Sequence, residues 1–242
     1  MIEIKNVSKT YNNNIKAIDN LNLTINDGEI VGFIGLNGAG KTTTIKMMTG
    51  ILQPDIGTIK INGYDIVKDS LKAKQIIGYI ADSPDMFLKL KGIEYLTFMA
   101  DIYDIPNNLR KERIEKLTKK FAIYDDLNNQ MQSYSHGMRQ KIVICGALLA
   151  DPKNWILDEP MTGLDPKSAF DLKEMMKEHA KANKTVFFST HVLEVAEKLC
   201  DRVGIINKGK LVFVGTIAEL KKKFKEEASL EKLFLEITEK ED

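Results

Sequence analysis

Cysteine is scarce: the chain has two, Cys145 and Cys200, both in apolar stretches that read as helix, and neither has metal-ligand spacing. This excludes a disulfide framework or a thiolate metal site and predicts two buried thiols in a reducing compartment. Excess charge of either sign is also lacking. The 35 basic and 34 acidic residues leave a formal net charge of +1, so no global attraction draws the chain to nucleic acid. Lys221, Lys222 and Lys223 cluster locally and read as a solvated helix face. Long apolar runs are missing. Ile142 to Ala150 falls well short of the ~20 residues that span a bilayer. Met1-Ile2-Glu3-Ile4-Lys5 has neither the basic nor the apolar region of a signal peptide. There is no internal repeat and no low-complexity linker. The expectation is a cytosolic protein, unless a partner holds it at a membrane.

What is present is an α/β pattern with a helical interruption. Ile2, Ile4 and Val7, then Leu21, Leu23 and Ile25, alternate as half-buried strands do. Ile30 to Ile34 is nearly all apolar, as in a central parallel strand. A glycine-rich loop follows, then a helix predicted over Thr42 to Leu52. From about Asp85 to Ala150 the apolar residues recur at helical spacing, as in Ile93, Leu96, Met99 and Ile102. Strands return at Trp155–Leu157 and Thr185–Ser189, with helices at Pro166–Ala182 and Val192–Cys200 and a hairpin around Lys208-Gly209. From Ile217 the tail reads as charged helix.

Gly35-Leu36-Asn37-Gly38-Ala39-Gly40-Lys41-Thr42 fits G-x-x-x-x-G-K-[ST], between an apolar strand and a helix. Glycines let successive N–H groups turn inward around a phosphate, and the helix N-terminus adds partial positive charge. Lys41 is expected to reach the β- and γ-phosphates, and Thr42 to ligate Mg²⁺. The motif alone is shared by kinases, GTPases and motors. Asp158 and Glu159 end the apolar strand Trp155–Leu157. That position adjoins the phosphate loop in such folds, so Asp158 is expected to hold Mg²⁺ and Glu159 to polarise the attacking water.

Tyr134-Ser135-His136-Gly137-Met138-Arg139-Gln140-Lys141 resembles the signature motif of ABC ATPases and lies ahead of the acid pair, as it does in that family. Gly163-Leu164-Asp165-Pro166 resembles the family's D-loop and Ser189-Thr190-His191 its switch histidine. The resemblance runs from Met1 to about Gly215. It implies that Tyr11 stacks on adenine and that Gly35, Asn37, Gly38, Ala39, Gly40, Lys41, Thr42 and Thr43 cradle the phosphates. It further implies that His191 contacts the γ-phosphate, and that Ser135 and Gly137 bind the γ-phosphate held by a second subunit. Asp82 stands where the family usually has a Mg²⁺-ligating glutamine, so contact there is direct, through water or lost. His179, in a charged helix without such context, reads as surface. His136 and Met138 are similar to the exporter branch that handles drugs, bacteriocins and peptides.

The implied fold is a P-loop NTPase (RecA-like) α/β core with an N-terminal antiparallel β subdomain and an inserted α-helical subdomain. Residues 1–84 and 151–216 would form core and β subdomain, 85–150 the helical subdomain, and 217–242 a charged helical tail. The implied activity is ATP hydrolysis with Mg²⁺, in a homodimer or a heterodimer of such domains that closes on ATP. It would power a separate transmembrane permease from the inner face of the cell membrane, with no nucleic-acid partner. The alternatives are a non-transport ABC ATPase acting on ribosomes or DNA, and a P-loop kinase. The signature and switch histidine argue against the kinase. The lack of a second such domain or a long coiled-coil insert argues against the other.

Overall fold

A computed structural model describes residues 1–11, 14–223 and 234 of the chain. The N-terminal residues form β1 (Ile2–Tyr11), β2 (Ile15–Ile25) and β3 (Ile30–Ile34); α1 (Lys41–Met48), β4 (Ile56–Ile61), β5 (Tyr64–Asp65), α2 (Ser70–Gln75) and β6 (Ile77–Ile80) follow. Three longer helices come next: α3 (Gly92–Ile102), α4 (Asn107–Lys120) and α5 (His136–Leu148). The chain then returns to alternation with β7 (Asn154–Leu157), α6 (Pro166–Lys181), β8 (Thr185–Thr190), α7 (Leu193–Leu199), β9 (Arg202–Asn207), β10 (Lys210–Gly215) and α8 (Ile217–Lys223).

Two sheets result. An antiparallel sheet has the order β2-β1-β4-β5; a second has the order β10-β9-β3-β8-β7-β6. In the second, β9, β3, β8, β7 and β6 run parallel and β10 closes the edge antiparallel to β9. Strands buried on both faces need apolar residues at every position. β3 is buried throughout, and alternation decides which layer each residue joins. Trp155 and Leu157 pack with α3, α5 and α6; Ile156, between them, packs with the antiparallel sheet and α1. The parallel sheet is therefore a wall shared by two cores.

Some elements end differently from their sequence pattern. The helix expected to reach Leu52 stops at Met48, because Gly50 takes φ +66° and the N–H groups of Ile51 and Leu52 both turn back to the Lys46 carbonyl. His179 is not a surface residue: it is 8% exposed and its ring lies 5.7 Å from that of Trp155. Burial first, then the Lys184 charge, lowers its pKa to about 4. Cys145 is fully buried, whereas Cys200 is only half-buried. Lys221 pairs with Glu197 at 2.9 Å. Beyond α8, the expected helical tail lies outside the described residues apart from Phe234, which packs with Ile34, Ala196 and Leu220. Among the described residues, no helix is long and apolar enough to cross a membrane.

Candidate functional site

The parallel strands β3, β7 and β8 point their C-terminal ends the same way, so the loops after them converge. The loop after β3 is the phosphate loop. Gly38 and Gly40 take φ +81° and +111°, and a Cβ on Gly40 would stand 2.9 Å from the Ala17 carbonyl oxygen. Only glycine meets both the backbone angle and the space. A cavity of about 250 Å³ opens over this loop, lined by Leu36, Asn37, Gly38, Gly40, Lys41, Thr42 and Thr43, with Ala17, Asp82 and Glu159 from other segments. Gly35 and Ala39 are buried beneath it. Tyr11 is 43% exposed, and its hydroxyl lies 3.4 Å from Thr43 Oγ1 at the edge of the loop.

Polar groups converge on this cavity from three strands. Lys41 Nζ donates to the Gly35 carbonyl at 2.7 Å and lies 3.5 Å from Glu159 Oε1. The other carboxylate oxygen of Glu159 is 3.0 Å from His191 Nδ1. Glu159 has φ +46°, a left-handed conformation that costs a residue with a side chain about 1–2 kcal/mol. Asp158 is fully buried. Burial pushes its carboxyl pKa up, hydrogen bonds from Ser189 and Thr42 pull it back, and the nearby charges of Asp82 and Glu159 push it up again. Asp158 Oδ1 accepts from Ser189 Oγ at 2.5 Å, while buried Oδ2 has no hydrogen-bond partner. Mg²⁺ beside phosphates takes one or two protein carboxylates and completes its shell with water and phosphate oxygen. A buried carboxylate oxygen without a hydrogen-bond partner, on a side chain near Thr42, suits that chemistry.

The fold does not bring every candidate to this cavity. Ser135 caps α5, accepting from the Met138 N–H at 3.3 Å, and neither Ser135 nor Gly137 lines the cavity. Gly137 and its neighbour His136 lie instead against the loop after β7. A Cβ on Gly137 would come within 2.5 Å of the Gly163 carbonyl oxygen, and one on Gly163 within 2.4 Å of His136 Nδ1. Lys141 pairs with Asp165 at 2.7 Å, which holds the Asp165 carboxyl far below the usual carboxylate range. Gln140 Nε2 donates to the Pro160 carbonyl at 3.3 Å. The start of α5 and the Gly163 loop are thus packed and ion-paired together.

Sequence reasoning passed over Ser189 as a working residue, along with the Lys41–Glu159 pair and the lining residues Ala17 and Leu36. For Ser189 the signal was the register. Leu157 stands beside Phe188, so the next residues, Asp158 and Ser189, are also neighbours. That becomes visible only once β7 and β8 are known to be adjacent.

A family model described as "ABC transporter" matches residues 18–162. Among curated relatives, the chain is similar to the ABC transporter ATP-binding protein NatA of Bacillus subtilis (35% identical, 91% of each chain). It is also similar to the ABC-type transporter ATP-binding protein EcsA of the same organism, at 36% over 100% of this chain and 98% of that one. The bacitracin transport ATP-binding protein BcrA of Bacillus licheniformis is 36% identical over 92% of this chain and 72% of its own. Among solved structures, an ATP-binding subunit of an ABC transporter superposes with TM-score 0.93 at 33% identity, covering 98% of this chain and 99% of that one. The ATP-binding cassette MJ0796, as a post-hydrolysis dimer with ADP and Pi, superposes with TM-score 0.81 at 25% identity, over 90% of this chain and 99% of that one.

Proposed function

Because this chain belongs to the ABC transporter family, as an ATP-binding subunit that hydrolyses ATP, we propose that it powers a separate membrane permease and drives export of a drug, peptide or bacteriocin. The observation that carries the hydrolytic part is the placement of Glu159 at the phosphate loop, between Lys41 at 3.5 Å and His191 at 3.0 Å. Backbone N–H groups of the Gly35–Thr43 loop and the Lys41 ammonium bind the β- and γ-phosphates, and the ring of Tyr11 stacks on adenine. Thr42 and Asp158 would hold Mg²⁺, which would offset charge on the phosphates. Asp82 faces the same cavity and contributes an oxygen there, directly or through water. Glu159 accepts a proton from the attacking water, and His191 keeps the Glu159 carboxylate aimed while its ring meets the γ-phosphate.

One chain supplies half of this machinery. Ser135 and Gly137 lie outside their own chain's phosphate cavity, which favours their serving a second copy or a related subunit. The dimer that the structural neighbour MJ0796 forms with ADP and Pi supports pairing of two such chains. Two nucleotides at such an interface stabilise the closed state by mass action, and their hydrolysis releases it.

The permease reading draws support from a second surface. An apolar groove of about 480 Å³ lies between the parallel-sheet core and α3. It is lined by Ile51, Leu71, Tyr79, Phe87, Phe98 and Ile102 among others. Phe87, Phe98 and Ile102 are 43%, 41% and 52% exposed, more apolar surface in one place than a solitary chain needs. We assign to it a short apolar segment of the permease. Export is supported by the names of BcrA and of a linearmycin resistance relative. The test is Phe98→Glu. Co-expressed with the neighbouring membrane protein, it should lose co-purification and permease-stimulated phosphate release while hydrolysing ATP alone at the parent rate. Undiminished co-purification would sink the assignment of this groove.

A further inference from the structure

Ser189 is fully buried at the end of β8, and its hydroxyl makes two contacts of opposite sense. It donates to Asp158 Oδ1 at 2.5 Å and accepts from the Glu159 N–H at 2.9 Å. A hydroxyl has one proton. Once that proton is committed to the Asp158 carboxylate, a lone pair is left to face the next backbone N–H. The two acids are consecutive, yet they must point to different places, and Glu159 does so through a left-handed φ of +46°. Glycine would adopt that angle freely but brings no carboxylate. Resting on the roles assigned above to Asp158 and Glu159, we infer that Ser189 is a positioning residue for ATP hydrolysis: one hydroxyl fixes the Asp158 carboxylate and pins the Glu159 backbone in the turn that delivers its side chain to Lys41 and His191. Thr190, the next residue, is spent elsewhere, since its Oγ1 accepts from the Val192 N–H at 3.0 Å. Thr162 N–H bonds the Glu159 carbonyl at 3.2 Å and closes the turn from the other side.

The test uses the full-length purified chain and the variants Ser189→Ala and Ser189→Thr, with kcat, KM for ATP, binding of a fluorescent ATP analogue in EDTA, and Tm. A displaced catalytic group costs on the order of 10–100-fold in rate. Ser189→Ala should therefore lose at least about tenfold in kcat while KM and Mg²⁺-free nucleotide affinity stay near the parent's, with Tm lowered by the loss of two buried hydrogen bonds but the chain folded at the assay temperature. Ser189→Thr, which keeps the hydroxyl, should recover most of the rate. The inference is overturned if Ser189→Ala keeps kcat within about twofold of the parent. It is overturned equally if its loss of rate is matched by a loss in nucleotide affinity, or if Ser189→Thr falls as far as Ser189→Ala. Glu159→Gln separates the two levels: an active Glu159→Gln would overturn the role of Glu159 itself, while an active Ser189→Ala beside an inactive Glu159→Gln overturns only the role of Ser189.

Discussion

Strands β7 and β8 have two ends, and the ends are built on different terms. At the C-terminal end, Asp158, Glu159, Ser189 and His191 bring polar groups together, with a left-handed residue among them and one buried carboxylate oxygen uncommitted. At the N-terminal end, Asn154, Thr185 and the nearby His179 are also polar and buried, but they tie segments together. The side-chain amides of Asn154 and Asn62 are hydrogen-bonded to each other, joining the second sheet to the turn after β4. Thr185 Oγ1 donates to the Asn26 carbonyl at 3.3 Å. The His179 ring packs against that of Trp155 in β7, with ring centroids 5.7 Å apart. The difference teaches that burial of a polar group does not identify a site. At one end the buried polar groups gather beside a cavity and a left-handed residue; at the other they hold segments of the fold together.

The comparison breaks if mutations at the two ends have the same signature. The largest effect is expected for Glu159→Gln. It should lower kcat by about 10²–10⁴-fold with ATP affinity and Tm retained, checked by phosphate release and nucleotide titration. Next is His179. Its pKa is lowered to about 4 from 6.5, so below pH 6.5 the unfolded chain takes up a proton that the folded chain refuses. Stability is complete above pH 6.5 and is lost as pH falls from 6.5 toward 4, by at most about 3 kcal/mol. His179→Phe should remove this slope in urea denaturation at pH 7.5 and 4.5, with kcat at pH 7.5 unchanged. Parent and variant curves that shift in parallel would refute it. The smallest is Asn154→Ala, expected to cost about 1–2 kcal/mol of stability with little change in kcat, measured by the denaturation midpoint.

The C-terminal end was the more legible in sequence because its residues lie in short local patterns. The phosphate loop occupies consecutive positions, and the acid pair follows directly on its strand. The fold class was readable for a similar reason, since the all-apolar Ile30–Ile34 run and the helical stretch between Asp85 and Ala150 carry different periods. The N-terminal end depends on partners far apart, such as Asn62 with Asn154. His179 was misread from its charged neighbours Lys177, Glu178 and Lys181. The buried stripe of α6 was nonetheless present in the spacing of Leu172, Met176 and His179. The apolar groove escaped notice because α2, β6 and α3 supply it jointly, and no one segment is unusual by itself.

The three long helices lie between β6 and β7, which are adjacent and parallel. A connection between parallel neighbours must leave from one end of the sheet and return at the other. The helical insert therefore departs beside Asp82 at the catalytic edge and re-enters after Asp151 at the opposite edge, anchors separated by a four-residue strand, or about 13 Å. Besides these two chain crossings, the insert is held to the core where α3 and α5 pack on Trp155 and Leu157 and where Lys141 pairs with Asp165 at 2.7 Å. The loop that carries Asp82 leads from the edge of the phosphate cavity into the insert that supplies the α3 rim of the groove, so one continuous stretch of chain joins the two surfaces.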